Sequence, residues 1–192
     1  MELTVEEAIS LSSLWMPILL SGVFIFIASS VLHMVVKIHN KDYQSVPGEE
    51  SIRDAIRGQK ISPGLYVFPH CHSMKEMGTP EHMEKLNQGP NGFLTITPDG
   101  PPAMGKNLFL WFLYALLISL FVGYLTSISV ASGAPFKEVF RIAGTAAVLG
   151  HCVPSICDSI WKCIPWPVTF KFIIDGAVYS VITAATFGWL WP

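Results

Sequence analysis

Residues 108–130 run for 23 positions without one charged side chain. At about 1.5 Å per residue, a helix of that length covers the roughly 30 Å hydrocarbon core of a bilayer. No water is present there to hydrogen-bond the backbone, so such a segment must satisfy its own amides as a helix. Three other stretches reach spanning length. Residues 14–36 contain the single imidazole His33. Residues 139–160 are interrupted by Arg141, His151, Pro154 and Asp158, and residues 168–190 contain Lys171 and Asp175. The soluble alternative, four buried core helices, has to explain an uncharged run that is long even for a core. Composition points the same way. Charged residues make up 14% of the chain, against about 25% in soluble domains. That excludes a disordered chain and argues against an ordinary soluble enzyme. The net charge of -2 excludes a strongly basic nucleic-acid binder. Four Cys without a CxxC pair exclude a disulfide scaffold and a zinc ribbon.

The tryptophans test the topology independently, because indole prefers the membrane–water interface. With four spans, Trp15, Trp189 and Trp191 fall on one side and Trp111, Trp161 and Trp166 on the other. Lys and Arg set orientation. Eight of them lie between Lys37 and Lys106, and Lys162 falls on the same side; Lys137 and Arg141 lie opposite. The long loop is therefore expected in the cytoplasm and both termini outside. Without a basic n-region or a small-residue cleavage site, span one does not read as a signal peptide. Thr4 and Glu7 have capping-box spacing, and Pro17 should restart the helix, so an interfacial turn should lead into span one. No tail for recruiting a partner is expected after Trp191–Pro192.

The chain thus divides into an N-terminal segment with the first span (1–36), an extramembrane loop module (37–107) and three further spans (108–192). The module shows helix and strand punctuation. A helix is expected over 51–57 with Gly58 as its stop, and a strand over 65–68 between Pro63-Gly64 and Pro69. Thr79-Pro80 should cap a helix running to Gln88 and Gly89. A second strand is expected over 93–97, and 99–105 should connect to span two. So small a module cannot stand alone. The fold class is all-α membrane: a four-helix transmembrane bundle with a small α+β loop module between spans one and two.

The runs PGLYVFPHC (63–71), GPNGFL (89–94), GPPAMG (100–105) and FGWLWP (187–192) resemble a group of small bacterial inner-membrane proteins with no assigned activity. The resemblance implies four spans in a bacterial inner membrane. It brings no catalytic residue.

Candidate chemistry lies inside the spans, where ionisable groups are costly and face a partner or the bundle interior. His33 and His151 lie at comparable depths from the loop side and are candidate axial haem ligands or metal ligands. His151, Ser155 and Asp158 share one helix face, and Asp175, Tyr179, Thr183 and Thr186 share another. A nearby Asp would orient an imidazole; otherwise these groups hydrogen-bond between helices and fix packing. Asp175 is expected to pair with Lys171 four residues earlier, or else with His151 or another helix. No chain of ionisable groups crosses the whole membrane. His70 and His72, flanking Cys71 and followed by His82, form a second candidate metal site that matches no specific zinc motif. Cys152, Cys157 and Cys163 have spacings of neither a redox pair nor an iron–sulfur run and read as small fillers. Pro154 should free the carbonyl of Gly150 and bend span three. Small residues at 21–22, 28–29, 144, 147 and 150 suggest that spans one and three are neighbours, with span two facing lipid or a partner.

No phosphate loop, nucleophile elbow or zinc-protease helix appears, so no catalytic residue is assigned. Two functional readings remain. One is a structural or accessory subunit of a larger bacterial membrane complex, its partners the bilayer and other membrane subunits or itself. The other is a small homo-oligomeric transporter, channel, or haem- or metal-binding membrane protein that works through its intramembrane His and Asp residues.

Overall fold

The structure is a computed structural model that describes residues 9–192. The capping box at Thr4 and Glu7 lies outside them. Among the described residues, four helices are long and apolar enough to cross a membrane: Leu11–Val36, Met104–Ser127, Phe136–Lys162 and Trp166–Trp189. They define a multi-pass membrane protein. The chain falls into two compact units, one running up to Tyr43 and resuming at Ala103, the other Gln44–Pro102.

Each span begins and ends for a local reason. Ser10 caps a 3-10 turn, Leu11–Leu14, by accepting the Ser13 N–H, and the turn runs into α1, Trp15–Val31. Pro17 sits in the first turn of α1, where its missing N–H leaves no bond unmade, so it does not kink the helix. A π-helical segment, Leu32–Val36, follows, and Lys37 ends it in the left-handed region at φ 59°. That reversal turns residues 38–43 back toward the bundle. Beyond the loop module, α5 (Met104–Ser127) is the uncharged span.

Span three is broken. α6 (Phe136–His151) and α7 (Pro154–Lys162) meet at Cys152–Val153. Pro154 cannot donate to the Gly150 carbonyl, and the Tyr114 hydroxyl donates to that carbonyl instead, at 3.1 Å. The vacated backbone position is thus satisfied from a neighbouring helix. α8 (Trp166–Trp189) is the fourth span.

Packing follows a ring in which each span touches its sequence neighbour and α8 closes onto α1. Spans one and three are therefore diagonal, contrary to the pairing that their small residues suggest. Those residues admit other neighbours. A Cβ at Gly22 would lie 2.6 Å from Leu116 of α5, one at Gly150 3.0 Å from Ile118 of α5, and one at Gly144 3.2 Å from Ala184 of α8. Span two does not simply face lipid. Ala115, Ser119, Val122, Gly123 and Thr126 form a buried stripe, while Phe109, Leu113, Leu117 and Phe121 point outward. In lipid no hydrophobic force drives helices together, so close approach and dispersion contacts hold them.

At the end remote from the loop an apolar cluster forms from Leu14, Val122, Val130, Val139, Ala143, Ala147 and Phe187, and the buried hydroxyls of Thr126, Ser127 and Thr186 donate to carbonyls of their own helices. There Trp191 Nε1 donates to the Ala131 carbonyl at 2.9 Å, while Ser132 Oγ and the Gly133 N–H donate to the Pro192 carbonyl. Toward the loop side the interior turns polar, with His151, Asp175 and Ser180 buried.

The loop unit contains α2 (Glu49–Gly58), β1 (Gly64–Phe68), α3 (Met74–Met77), α4 (Pro80–Gln88) and β2 (Gly92–Ile96). The strands pair antiparallel, with Gly64 opposite Ile96 and Phe68 opposite Gly92. Thr79 caps α4 and Gly89 ends it at φ 57°, as the sequence punctuation suggests. Leu65, Tyr66, Val67 and Phe68 are all exposed, and His82 is the one buried residue of the unit.

Candidate functional site

The π-segment and the reversal at Lys37 bring two imidazoles to one carboxylate. His39 Nε2 lies 3.0 Å from Asp175 Oδ2, and His33 Nε2 lies 3.8 Å from the same oxygen. The two rings stack, their centroids 4.9 Å apart and their planes within 8°. Among the described residues, this is the one group of three His, Cys, Asp or Glu side chains whose ligand atoms all lie within 4.8 Å of one another. Asp175 is buried, its side chain 3% exposed.

The outer ring nitrogen of His33 defines its tautomer. His33 Nδ1 lies 3.0 Å from the Ser29 carbonyl. A carbonyl only accepts, so Nδ1 carries the proton and the Nε2 lone pair is left facing Asp175. His39 Nδ1 lies 2.6 Å from Asp42 Oδ2. Asp42 is itself ion-paired with Lys171. The Lys171 hydrogen bond holds the Asp42 carboxyl below its ordinary value, with His39 adding to the effect and burial opposing it. An ionised Asp42 accepts from Nδ1–H; Nε2 of His39 lies 3.0 Å from a carboxylate oxygen that only accepts, so without an ion it donates a hydrogen bond to Asp175 at the position a metal would take. Imidazoles that ligate metals are oriented in this way, by an acceptor on the far nitrogen.

Two imidazoles and one carboxylate are a donor set for first-row divalent ions. A tetrahedral ion with bonds of about 2.0–2.2 Å holds its ligand atoms roughly 3.3–3.5 Å apart. Two of the three spacings, 3.0 and 3.8 Å, bracket that value, and the third lies within 4.8 Å.

The expected Lys171–Asp175 ion pair is not formed. Lys171 takes Asp42 as its partner, 129 residues away in sequence. Asp175 is free to face His33 and His39 because the chain reversal delivers a nearer carboxylate to the lysine. His39 escaped sequence reasoning. It lies outside the apolar run, and its only signal was the short His39-x-x-Asp42 spacing beside the end of span one.

The other candidates are distributed as follows. His151 is buried and lies beside Tyr114 and Tyr179, with ring centroids 6.1 and 5.7 Å away. It does not join the ligand cluster, although it lines a cavity of about 850 Å³ together with His33, Asp175 and Tyr179. Asp158 pairs with Lys162 at 2.7 Å, both half-exposed. It also borders a second cavity of about 520 Å³ shared with His33, His39 and Asp42.

In the loop unit the His70 and His72 rings lie 5.0 Å apart, both exposed. Cys71 turns instead to His82, with Sγ 3.1 Å from Nε2. Partial burial and the Glu76 carboxylate hold the Cys71 thiol above its ordinary value, with Lys85 opposing. The pair is a thiol hydrogen-bonded to an imidazole, with the donor set by the His82 tautomer. Among the described residues all four cysteines are free, with Cys152 buried and Cys157 and Cys163 exposed.

The fold and cluster together define a multi-pass membrane protein with a two-imidazole, one-carboxylate site at the loop-side end of its bundle. Comparison with known proteins finds no matching family model, no similar curated protein and no similar solved structure.

Proposed function

We propose that this chain is a metal-binding membrane protein that holds a divalent first-row ion, such as Zn²⁺ or Fe²⁺, through His33, His39 and Asp175. One observation carries the reading. Both imidazoles turn Nε2 toward a single buried carboxylate oxygen, while an acceptor holds each Nδ1–H. A carboxylate oxygen can accept two N–H groups, but the His33 Nε2 lies 3.8 Å away and makes no hydrogen bond to it, which leaves that nitrogen to an ion. A single ion suits these spacings better than a haem between His33 and His151. Three protein ligands leave a coordination position for water or a substrate.

The eight Lys and Arg residues between Lys37 and Lys106 support a cytoplasmic position for the loop and the site, with both termini outside. The resemblance of the 63–71, 89–94, 100–105 and 187–192 runs to small bacterial inner-membrane proteins supports that membrane as the location.

The test is metal analysis of protein purified in mild detergent, followed by Zn²⁺ titration of the apoprotein. About one ion per chain is expected, lost in His39→Ala and in Asp175→Asn. A folded protein that retains no ion and binds Zn²⁺ no better than Asp175→Asn would overturn the proposal.

A second reading, an accessory subunit of a larger complex, is favoured by the loop unit. Its β1 strand leaves Leu65, Tyr66, Val67 and Phe68 exposed, and a two-stranded sheet needs a further layer to be stable. Native mass after gentle solubilisation decides it. Reproducible additional subunits support the reading, and a mass of one or a few copies of this chain rejects it.

A further inference from the structure

Beside the ligand cluster lies the cavity of about 850 Å³, bounded by all four spans. Among the described residues, four buried side-chain polar atoms have no hydrogen-bond partner: Ser21 Oγ, Trp111 Nε1, His151 Nε2 and Asp175 Oδ1. The residues bearing the last three all line this cavity. Unpaired buried polar atoms are rare because each forfeits its solvation. Trp111 Nε1 and Asp175 Oδ1 call for opposite partners, whereas His151 Nε2 can donate or accept according to its tautomer; a polar occupant would supply the partners that the first two lack.

The chemistry of these atoms restricts the occupant. Trp111 Nε1–H can only donate, so the occupant must accept. Asp175 Oδ1, as a carboxylate oxygen, can only accept, so the occupant must donate. A carbonyl answers the first demand and leaves the second; an ammonium does the reverse. A hydroxyl answers both. The remaining wall is apolar and aromatic, including Phe26, Tyr114, Phe172 and Tyr179, with Trp111 stacked on Tyr114 at 5.4 Å. Flat rings pack well against such walls. Met34, Met104 and Leu108 line the cavity and are themselves exposed, so it is open to the surface of the spans.

We infer that this cavity binds a membrane-soluble molecule with a hydroxylated aromatic head, of the quinol type. The head oxygen accepts from Trp111 and its O–H donates to Asp175 Oδ1. The site shares Asp175 and His33 with the metal cluster but does not depend on a bound ion. It discriminates by protonation, because the matching quinone has no O–H and leaves Asp175 Oδ1 unpaired.

The experiment uses the full chain in lipid nanodiscs, with a decyl-substituted benzoquinol and its quinone as probes. Calorimetric titration is corrected for uptake by empty discs. The expected result is saturable 1:1 binding, with quinol about tenfold tighter than quinone, as one unmade buried hydrogen bond implies. Trp111→Phe keeps the ring and removes the donor, and it should weaken quinol binding by about tenfold. His33, His39 and Asp175 are untouched in that variant, so retained Zn²⁺ binding separates failure of this inference from failure of the metal reading. Uptake equal to empty discs, equal affinity for quinol and quinone, or an unchanged affinity in folded Trp111→Phe would each overturn the inference. If Trp111→Phe does not fold, the quinol-to-quinone ratio of the parent decides alone.

Discussion

Replacing Asp42 by Asn probes the cluster at a residue that touches it without being a ligand. Asp42 contacts Lys171 through Oδ1 and His39 Nδ1 through Oδ2. Asn still offers His39 an oxygen but gives Lys171 no counter-charge. Breaking an exposed pair costs about 1 kcal/mol at most, and breaking a buried one from one side about 3–5 kcal/mol. Lys171 remains 29% exposed and can extend toward the interface, which places Asp42→Asn at about 2 kcal/mol. For a chain of this size that is a melting point lower by roughly 4–8 °C. The second effect falls on the metal. Without an ionised acceptor the His39 ring is less basic and less well oriented, a loss of about 10- to 100-fold in affinity. The two effects separate in the double variant Asp42→Asn/Lys171→Met. Removing the stranded ammonium should restore most of the stability and leave Zn²⁺ affinity low. The assays are thermal melting in mild detergent and competitive Zn²⁺ titration. Parental affinity in a folded Asp42→Asn protein would refute the argument that Asp42 prepares His39 for a metal. Recovery of affinity along with stability in the double variant would refute it equally.

Three further outcomes are expected. A Cβ at Gly176 would lie 2.6 Å from the His151 carbonyl oxygen and 2.9 Å from Cys152 Sγ. Gly176→Ala must therefore push α8 from α6, costing about 2–3 kcal/mol and weakening metal binding, read by melting and Zn²⁺ titration. Tyr114→Phe leaves the Gly150 carbonyl without the donor that replaces the missing amide of Pro154; a loss of about 1 kcal/mol is expected in a denaturant titration. The folded Asp42 carboxyl titrates below its ordinary value of 3.8, so its stabilising contribution is complete above 3.8 and lost as pH falls through the lower folded value. Melting points measured from pH 6 to pH 3 should show the Asp42–Lys171 contribution holding to about pH 4 and falling below it, with Asp42→Asn lacking that final component.

The loop unit shows how far local signals reach. Thr79, Pro80 and Gly89 bound α4 as their cap chemistry requires, because capping is decided within a few residues. The strand at Gly64–Phe68 was legible for the same reason, between its Pro-Gly and Pro boundaries. Small residues were legible as sites of close approach but not as choices of partner. Gly22 admits Leu116 and Gly144 admits Ala184, and nothing local to either glycine says which helix will arrive. The stripe Ala115–Ser119–Gly123 in span two was overlooked because the bulky residues between these positions dominate the composition.

The candidate site divides along the same line. His33, His151 and Asp175 could be singled out from the chain alone, since an ionisable group within a lipid-spanning run is costly wherever the run packs. The partnership among them could not. A Lys–Asp spacing of four residues is permissive for an ion pair, yet Lys171 went to Asp42 because the left-handed turn at Lys37 carried residues 38–43 back against α8. The same turn brought His39 to Asp175 and made a three-ligand cluster from what read as isolated polar groups. The transfer of side chains from water to lipid is a sum over residues, so sequence alone determined four spans, their approximate ends and four of the loop unit's five short elements, missing only the single turn Met74–Met77. Which side chains meet across 129 residues depends on one backbone reversal and on helix neighbours chosen by close packing, and only the tertiary structure decided that.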